Sequence, residues 1–161
     1  MLLHCTFLRH AEAGSARSDH ARDLTPLGMA NCAGLATRMK SANYRPDLIL
    51  ASDALRTKTT AELLNLGAVV LTPELYLASA DQLGSVMCGL SWAKHVLIVA
   101  HNPGLSDFLE QYSRPEYPLL PGSGFQLVWD IEDWALTRVE SPCEVHQFSP
   151  EVGLWPSSSE N

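Results

Sequence analysis

The run Val96-Leu97-Ile98-Val99-Ala100 carries no polar side chain on either alternating face. As a strand it must be covered on both sides, which is the situation of a strand inside a parallel sheet flanked by helices. Two other segments fit the same sheet. Leu48-Ile49-Leu50-Ala51 is short and apolar, and His4 to Arg9 reads as a first strand at the start of the chain. Each ends abruptly on residues able to do chemistry: Arg9-His10, Ser52 to Arg56, and His101-Asn102.

Helix signals fall between these runs. Thr25-Pro26-Leu27-Gly28 reads as an N-cap with proline at the first helical position, opening an alanine-rich helix to about Ser41 whose buried face holds Gly28, Cys32, Leu35 and Met39. Ser52-Asp53 can cap a helix carrying Arg56 to Leu64. Ala68 to Leu71 is a short β-like run, and Ser79 caps a helix opening at Ala80-Asp81. A further helix is expected over Leu105 to Tyr112. After a proline-rich crossing to Pro121-Gly122-Ser123-Gly124, the alternating segments Phe125 to Ile131 and Ala135 to Glu140 suit paired antiparallel strands. The order predicts an α/β three-layer α/β/α sandwich with a mostly parallel sheet and an antiparallel edge. Ligands of such sheets gather outside the carboxyl ends of the strands, where the three motif segments emerge.

The length of 161 residues suits one domain, expected over residues 1–149, with a mobile tail over 150–161 that ends Pro-Ser-Ser-Ser-Glu-Asn. No apolar run reaches membrane-spanning length, and the apolar start is cut off by Arg9-His10 before it could serve as a signal peptide. Cys5, Cys32, Cys88 and Cys143 form no C-x-x-C pair; they read as small core residues, and the expected location is the cytoplasm. With 11 basic and 18 acidic residues the net charge is −7. That disfavours nucleic acid and anionic membrane surfaces as partners. Against this acidic background Arg9, Arg22 and Arg56 fall within motif-like segments, where bidentate donors suit an oxyanion.

A neutral His10 can take a phosphoryl group onto nitrogen, dividing a difficult hydrolysis into two transfers. Arg9 beside it disfavours ring protonation, and a bond from the other ring nitrogen to a backbone carbonyl would fix the tautomer. An ordinary solvated strand end would also show an Arg-His pair. Arg56 lies just past a strand end, near helix N-terminal amides that favour anions; its plainer account is a surface pair with Glu62 or Asp53. His101 should emerge at the same sheet edge as His10, followed by the donor Asn102. Arg22 either reaches a phosphate or pairs with Asp19. Two histidines invite a metal reading, but Glu12 is their only carboxylate neighbour in sequence and an arginine-lined pocket repels a cation, so no metal is expected.

Taken together, Leu8-Arg9-His10-Ala11-Glu12, Leu24-Thr25-Pro26-Leu27-Gly28, Ser52-Asp53-Ala54-Leu55-Arg56-Thr57-Lys58-Thr59-Thr60 and Val99-Ala100-His101-Asn102-Pro103 resemble the histidine phosphatase (phosphoglycerate mutase-like) superfamily. In length and motif spacing the chain is most similar to its short phosphohistidine phosphatase branch, the SixA type. The resemblance spans residues 3 to about 140. It implies a phosphoglycerate mutase-like fold, His10 as phosphoacceptor, Arg9, Arg56 and His101 as the phosphate pocket, Arg22 as a further arginine, and no cofactor. The implied substrate is a phosphorylated protein carrying phosphohistidine, or a small phosphorylated molecule. Two departures stand out. The family's usual Arg-His-Gly is here completed by Ala11, and the proton donor of larger members has only Glu74 or Asp81 as counterpart. Asp81 is preferred, though a carboxylate at a helix start needs no catalytic explanation. Imidazole leaves a phosphoramidate with little acid help, so a weakly marked acid suits phosphohistidine. The alternatives are a small-molecule phosphomonoesterase of the same superfamily and a non-catalytic phosphate-binding regulatory module.

Overall fold

A computed structural model describes residues 1–151. The tail expected over residues 150–161 therefore lies outside the described residues from position 152 onward. Six strands form one sheet: β1 (Leu2–Arg9), β2 (Leu48–Ala51), β3 (Val69–Leu71), β4 (His95–Ala100), β5 (Gly124–Asp130) and β6 (Glu144–Phe148), in the order β3-β2-β4-β1-β5-β6. The first four run parallel. β5 pairs antiparallel with β1, and β6 antiparallel with β5, giving the expected antiparallel edge. Among the described residues four α-helices accompany the sheet: α1 (Pro26–Ser41), α2 (Leu55–Leu63), α3 (Ala80–Cys88) and α4 (Gly104–Glu110). None of the described helices is long and apolar enough to cross a membrane.

Alternation along the strands builds two cores. Leu3, Cys5 and Phe7 of β1 join Val96 and Ile98 of β4 on the face covered by α3 and α4, where Leu83, Met87, Leu105 and Phe108 pack. Leu8, Leu97 and Val99 face the opposite side, with Leu35 and Met39 of α1 and Ala61 of α2. Central β4 is buried on both faces from Val96 to Ala100, which accounts for its lack of polar residues.

Local chemistry sets the helix starts. Thr25 caps α1 by accepting from the Gly28 amide at 3.1 Å, with Pro26 in the first turn. Gly28 must be glycine, because a Cβ there would stand 2.2 Å from the Glu12 carbonyl oxygen. This close approach seats α1 directly under the chain leaving His10. Ser79 and Gln82 form a capping box on α3.

Three expectations are corrected. Ala135 to Glu140 is no strand: Trp134–Arg138 is a 3-10 turn, and the sixth strand is Glu144–Phe148. Asp133 caps the Ala135 amide at 2.8 Å, and Trp134 and Thr137, three apart, are both buried, with the Trp134 indole donating to the Ala93 carbonyl. The cap of α2 is Ala54 without a side-chain bond, not Ser52-Asp53. Only Cys5 and Cys32 are buried; Cys88 is partly buried and Cys143 is exposed.

Candidate active site

The sheet register brings three chain ends level. Arg9 pairs with Ala100 and Ala51 with Val99, so His10, His101 and Ser52 leave adjacent strands side by side, with His101 in the middle. The His10 and His101 rings lie 5.4 Å apart between centroids. Both are buried, at 7 % and 1 % exposure.

His10 Nδ1 lies 2.8 Å from the Ala11 carbonyl oxygen. A carbonyl can only accept, so Nδ1 carries the proton and Nε2 presents its lone pair. Burial pushes the pKa of His10 down to about 4; the bond to Ala11 opposes the shift, and Arg56, Arg9 and Arg22 add to it. Ala11 fits where the family pattern has glycine because its methyl packs against Leu24 and Cys32, while its amide donates to Thr60 Oγ1 at 3.0 Å.

His101 Nδ1 sits 3.3 Å from Arg56 Nη2, and Nε2 sits 2.8 Å from Ser52 Oγ. The guanidinium can only donate, so Nδ1 accepts and Nε2 carries the proton. His101 is therefore neutral. Burial and the Arg56 charge lower its pKa to about 3. Ser52, expected as a helix cap, instead orients this ring and accepts from the Ala54 amide at 3.2 Å.

Arg56 is buried, and its partners are neither Glu62 nor Asp53. Nη1 donates to the Asp19 carbonyl at 2.7 Å and Nη2 to Asp19 Oδ2 at 3.0 Å. Arg9 donates from Nη1 to the Leu119 carbonyl at 2.8 Å. In both arginines Nε is buried with no hydrogen-bond partner among the described residues. Buried donors are normally satisfied, and two such cationic N–H groups beside a neutral histidine suit an anion.

Arg22 and Asn102 have protein partners of their own, and Asp81 and Glu74 are exposed. Arg22 donates from Nε to Gly14 at 2.8 Å and pairs with Asp19 at 3.3 Å, bracing the loop between β1 and α1. Asn102 bridges the Leu119 carbonyl and the Ser106 amide and hydroxyl, so it ties the start of α4 to the segment that holds Arg9. Asp81 is exposed in the first turn of α3 and lines a groove with Gly84, Phe108, Tyr112 and Arg138; His10, Arg9, Arg56 and His101 do not line that groove. Glu74 is exposed in a 3-10 turn, Pro73–Leu75.

Sequence reading missed Tyr76 and gave Asp19 too small a part. Tyr76 stands edge-on to His101 and to His20, at 5.5 and 5.0 Å between centroids, and its hydroxyl donates to Asp19 Oδ2. The Tyr76 hydroxyl and then Arg56 and Arg22 hold the Asp19 carboxyl well below the ordinary carboxylate range, so it is ionised. Nothing local in Glu74-Leu75-Tyr76-Leu77 announces this contact. It arises where the chain turns after β3, with Leu77 at φ 49°.

The buried neutral histidines make stability depend on pH. His10 and His95 have pKa values of about 4 and His101 about 3, and His4 is also lowered, in each case chiefly by burial. The unfolded chain protonates them near 6.5. Their contribution is complete above that pH and is lost as pH falls from about 6.5 toward 4, at up to about 1.4 kcal/mol per pH unit for each histidine. Urea unfolding at about pH 7 and about pH 5.5 should show the midpoint dropping. An unchanged midpoint would mean these rings are not held neutral.

No protein-family model and no curated protein sequence matches the chain. Solved structures do. A candidate phosphohistidine phosphatase SixA of Nakamurella multipartitia is similar at TM-score 0.77 and 23% identity, covering 91% of this chain and 96% of its own. Its counterpart from Agrobacterium tumefaciens is 26% identical at TM-score 0.74, covering 80% of this chain and 92% of its own. A protein histidine phosphatase SixA complexed with tungstate is 19% identical at TM-score 0.77, covering 92% and 97%. The chain thus has the phosphoglycerate mutase-like fold of the histidine phosphatase superfamily.

Proposed function

We propose that this protein is a histidine phosphatase that carries its phosphoryl group on His10 and acts on phosphohistidine in a phosphorylated protein. The observation that carries the reading is the bond from His10 Nδ1 to the Ala11 carbonyl, which leaves Nε2 unprotonated beside Arg9 and Arg56. The tungstate held by a SixA of the same fold supports an oxyanion pocket. In the first step the Nε2 lone pair attacks phosphorus in line, the bond from phosphorus to the leaving imidazole nitrogen breaks, and that nitrogen takes a proton from water. Charge on the transferring group is met by Arg9 and Arg56. Water then attacks phosphorus, and the bond from phosphorus to Nε2 breaks and returns its electron pair to the ring. The proton shed by that water is taken up by the hydroxide left from the first step, releasing phosphate and restoring the neutral ring.

The carboxylate bonded to Arg56 offers no proton, which favours phosphohistidine over an ester. Asp19 is the carboxylate joined to the pocket, and it is ionised, so it cannot protonate an alkoxide. An imidazole leaving group needs less help. With a phosphohistidine peptide, an aryl phosphate and a sugar phosphate compared side by side, the peptide should give kcat/KM at least about tenfold above either ester. A sugar phosphate in the lead would point to a small-molecule phosphomonoesterase. Binding of phosphate with no turnover of any substrate would point to a regulatory module.

A further inference from the structure

Asp19 holds the end of the arginine that the pocket most depends on. Its Oδ2 accepts from Arg56 Nη2 and from the Tyr76 hydroxyl, its Oδ1 from Arg22 Nη1, and its backbone oxygen from Arg56 Nη1. Of the five N–H groups of Arg56, two thus go to Asp19 and one to His101. An anion entering the pocket meets a guanidinium already paired with a carboxylate. The two partners differ sharply in freedom. The Arg56 side chain is 3% exposed and cannot follow, whereas that of Asp19 is 46% exposed on the loop between β1 and α1 and can turn into water.

We propose that Asp19 is an exchangeable counter-ion for Arg56: it yields the guanidinium when the phosphoryl group binds and takes it back as inorganic phosphate leaves, which makes it a positioning residue for product release. The inference rests on the phosphatase reading above. Phosphate held by buried arginines leaves slowly, and release often limits turnover. A tethered carboxylate competes for the same cation at an effective concentration in the millimolar range or above, without being consumed. Removing its charge also removes repulsion toward the phosphate, since two anions sharing one cation oppose each other.

Asp19→Asn keeps the size and one acceptor while deleting the charge. With a phosphohistidine peptide as substrate and inorganic phosphate as competitor, the inhibition constant of phosphate should fall about tenfold in this variant, with kcat and KM falling together as release slows. A variant that had merely loosened the loop would bind phosphate more weakly. Asp19→Glu restores the charge and should bring the phosphate constant back to within about twofold of the wild type. Unchanged or weaker phosphate inhibition in Asp19→Asn, with an active wild type, would overturn this proposal alone, as would Asp19→Glu behaving like Asp19→Asn. A wild-type protein that neither turns over the peptide nor binds phosphate would overturn the phosphatase reading and this inference with it.

Discussion

Replacing His10 with alanine is expected to remove turnover, lowering kcat by at least about 10⁴-fold, while phosphate binding survives within about tenfold. The ring supplies the only bond that forms to phosphorus in the first step, so no neighbour substitutes for it. His101 stands 5.4 Å away between ring centroids, but its Nδ1 accepts from Arg56 and its Nε2 is paired with Ser52. Neither nitrogen is both unprotonated and uncommitted. The cationic lining, Arg9 and Arg56, is untouched by the substitution, which is why binding and chemistry should separate. Calorimetric titration with phosphate alongside a turnover assay reads both. Loss of binding in parallel with turnover would assign His10 a structural part instead.

The second large effect belongs to Arg56. Arg56→Ala should lower kcat/KM about 10³-fold, the scale seen when a preorganised cation or oxyanion donor is lost from phosphoryl or acyl transfer. Three consequences coincide in this one change. The developing charge loses its buried partner, His101 loses the donor on Nδ1, and the carboxylate of Asp19 is left facing the pocket. Arg56→Lys should recover only part of the loss, because a single ammonium nitrogen lacks the planar fork whose two nitrogens reach the Asp19 carbonyl from one arm and the Asp19 carboxylate and His101 from the other. A melting curve recorded for both variants separates this from unfolding, since Arg56 is buried. Activity of Arg56→Ala near that of the wild type would remove Arg56 from the transition state.

Much of this architecture was legible because central parallel strands leave a strong trace. Val96 to Ala100 is apolar on both faces, and the strand is buried on both faces. With β4 paired in parallel to both β1 and β2, the register brings their last residues level, and His10, Ser52 and His101 follow at one edge. Thr25 and Ser79 were readable as caps because a hydroxyl before a helical run has a local job that sequence spacing reveals. The misreading at Ala135 to Glu140 has the opposite origin. Ala135, Leu136 and Val139 among polar neighbours pass for a short strand, but their spacing of one and three residues is not strict alternation. Trp134 and Thr137 are buried three apart, and the true edge strand, Glu144-Val145-His146-Gln147-Phe148, is mostly polar and only partly covered. Edge strands carry a weak pattern because one side meets solvent.

The site shows the same division. Arg9, His10, Arg56 and His101 could be gathered from strand ends, yet their partners could not. Asp19 and Tyr76 come from two loops whose meeting depends on the folded path of each. Asp81, preferred as a proton donor, carries only the ordinary signal of a carboxylate at a helix start, and that is where the structure places it, exposed at the first turn of α3. Asp19, the carboxylate bonded to Arg56, was in turn named only as a possible partner of Arg22.

The central claim is covalent attack by His10, and phosphoenzyme trapping tests it most directly. Incubation with a radiolabelled phosphohistidine peptide, followed by rapid denaturation, should leave one label per chain that survives alkali, is lost in acid, and maps to the peptide containing His10. Label that resists acid, that maps to another residue, or that persists in the His10→Ala variant would contradict the account.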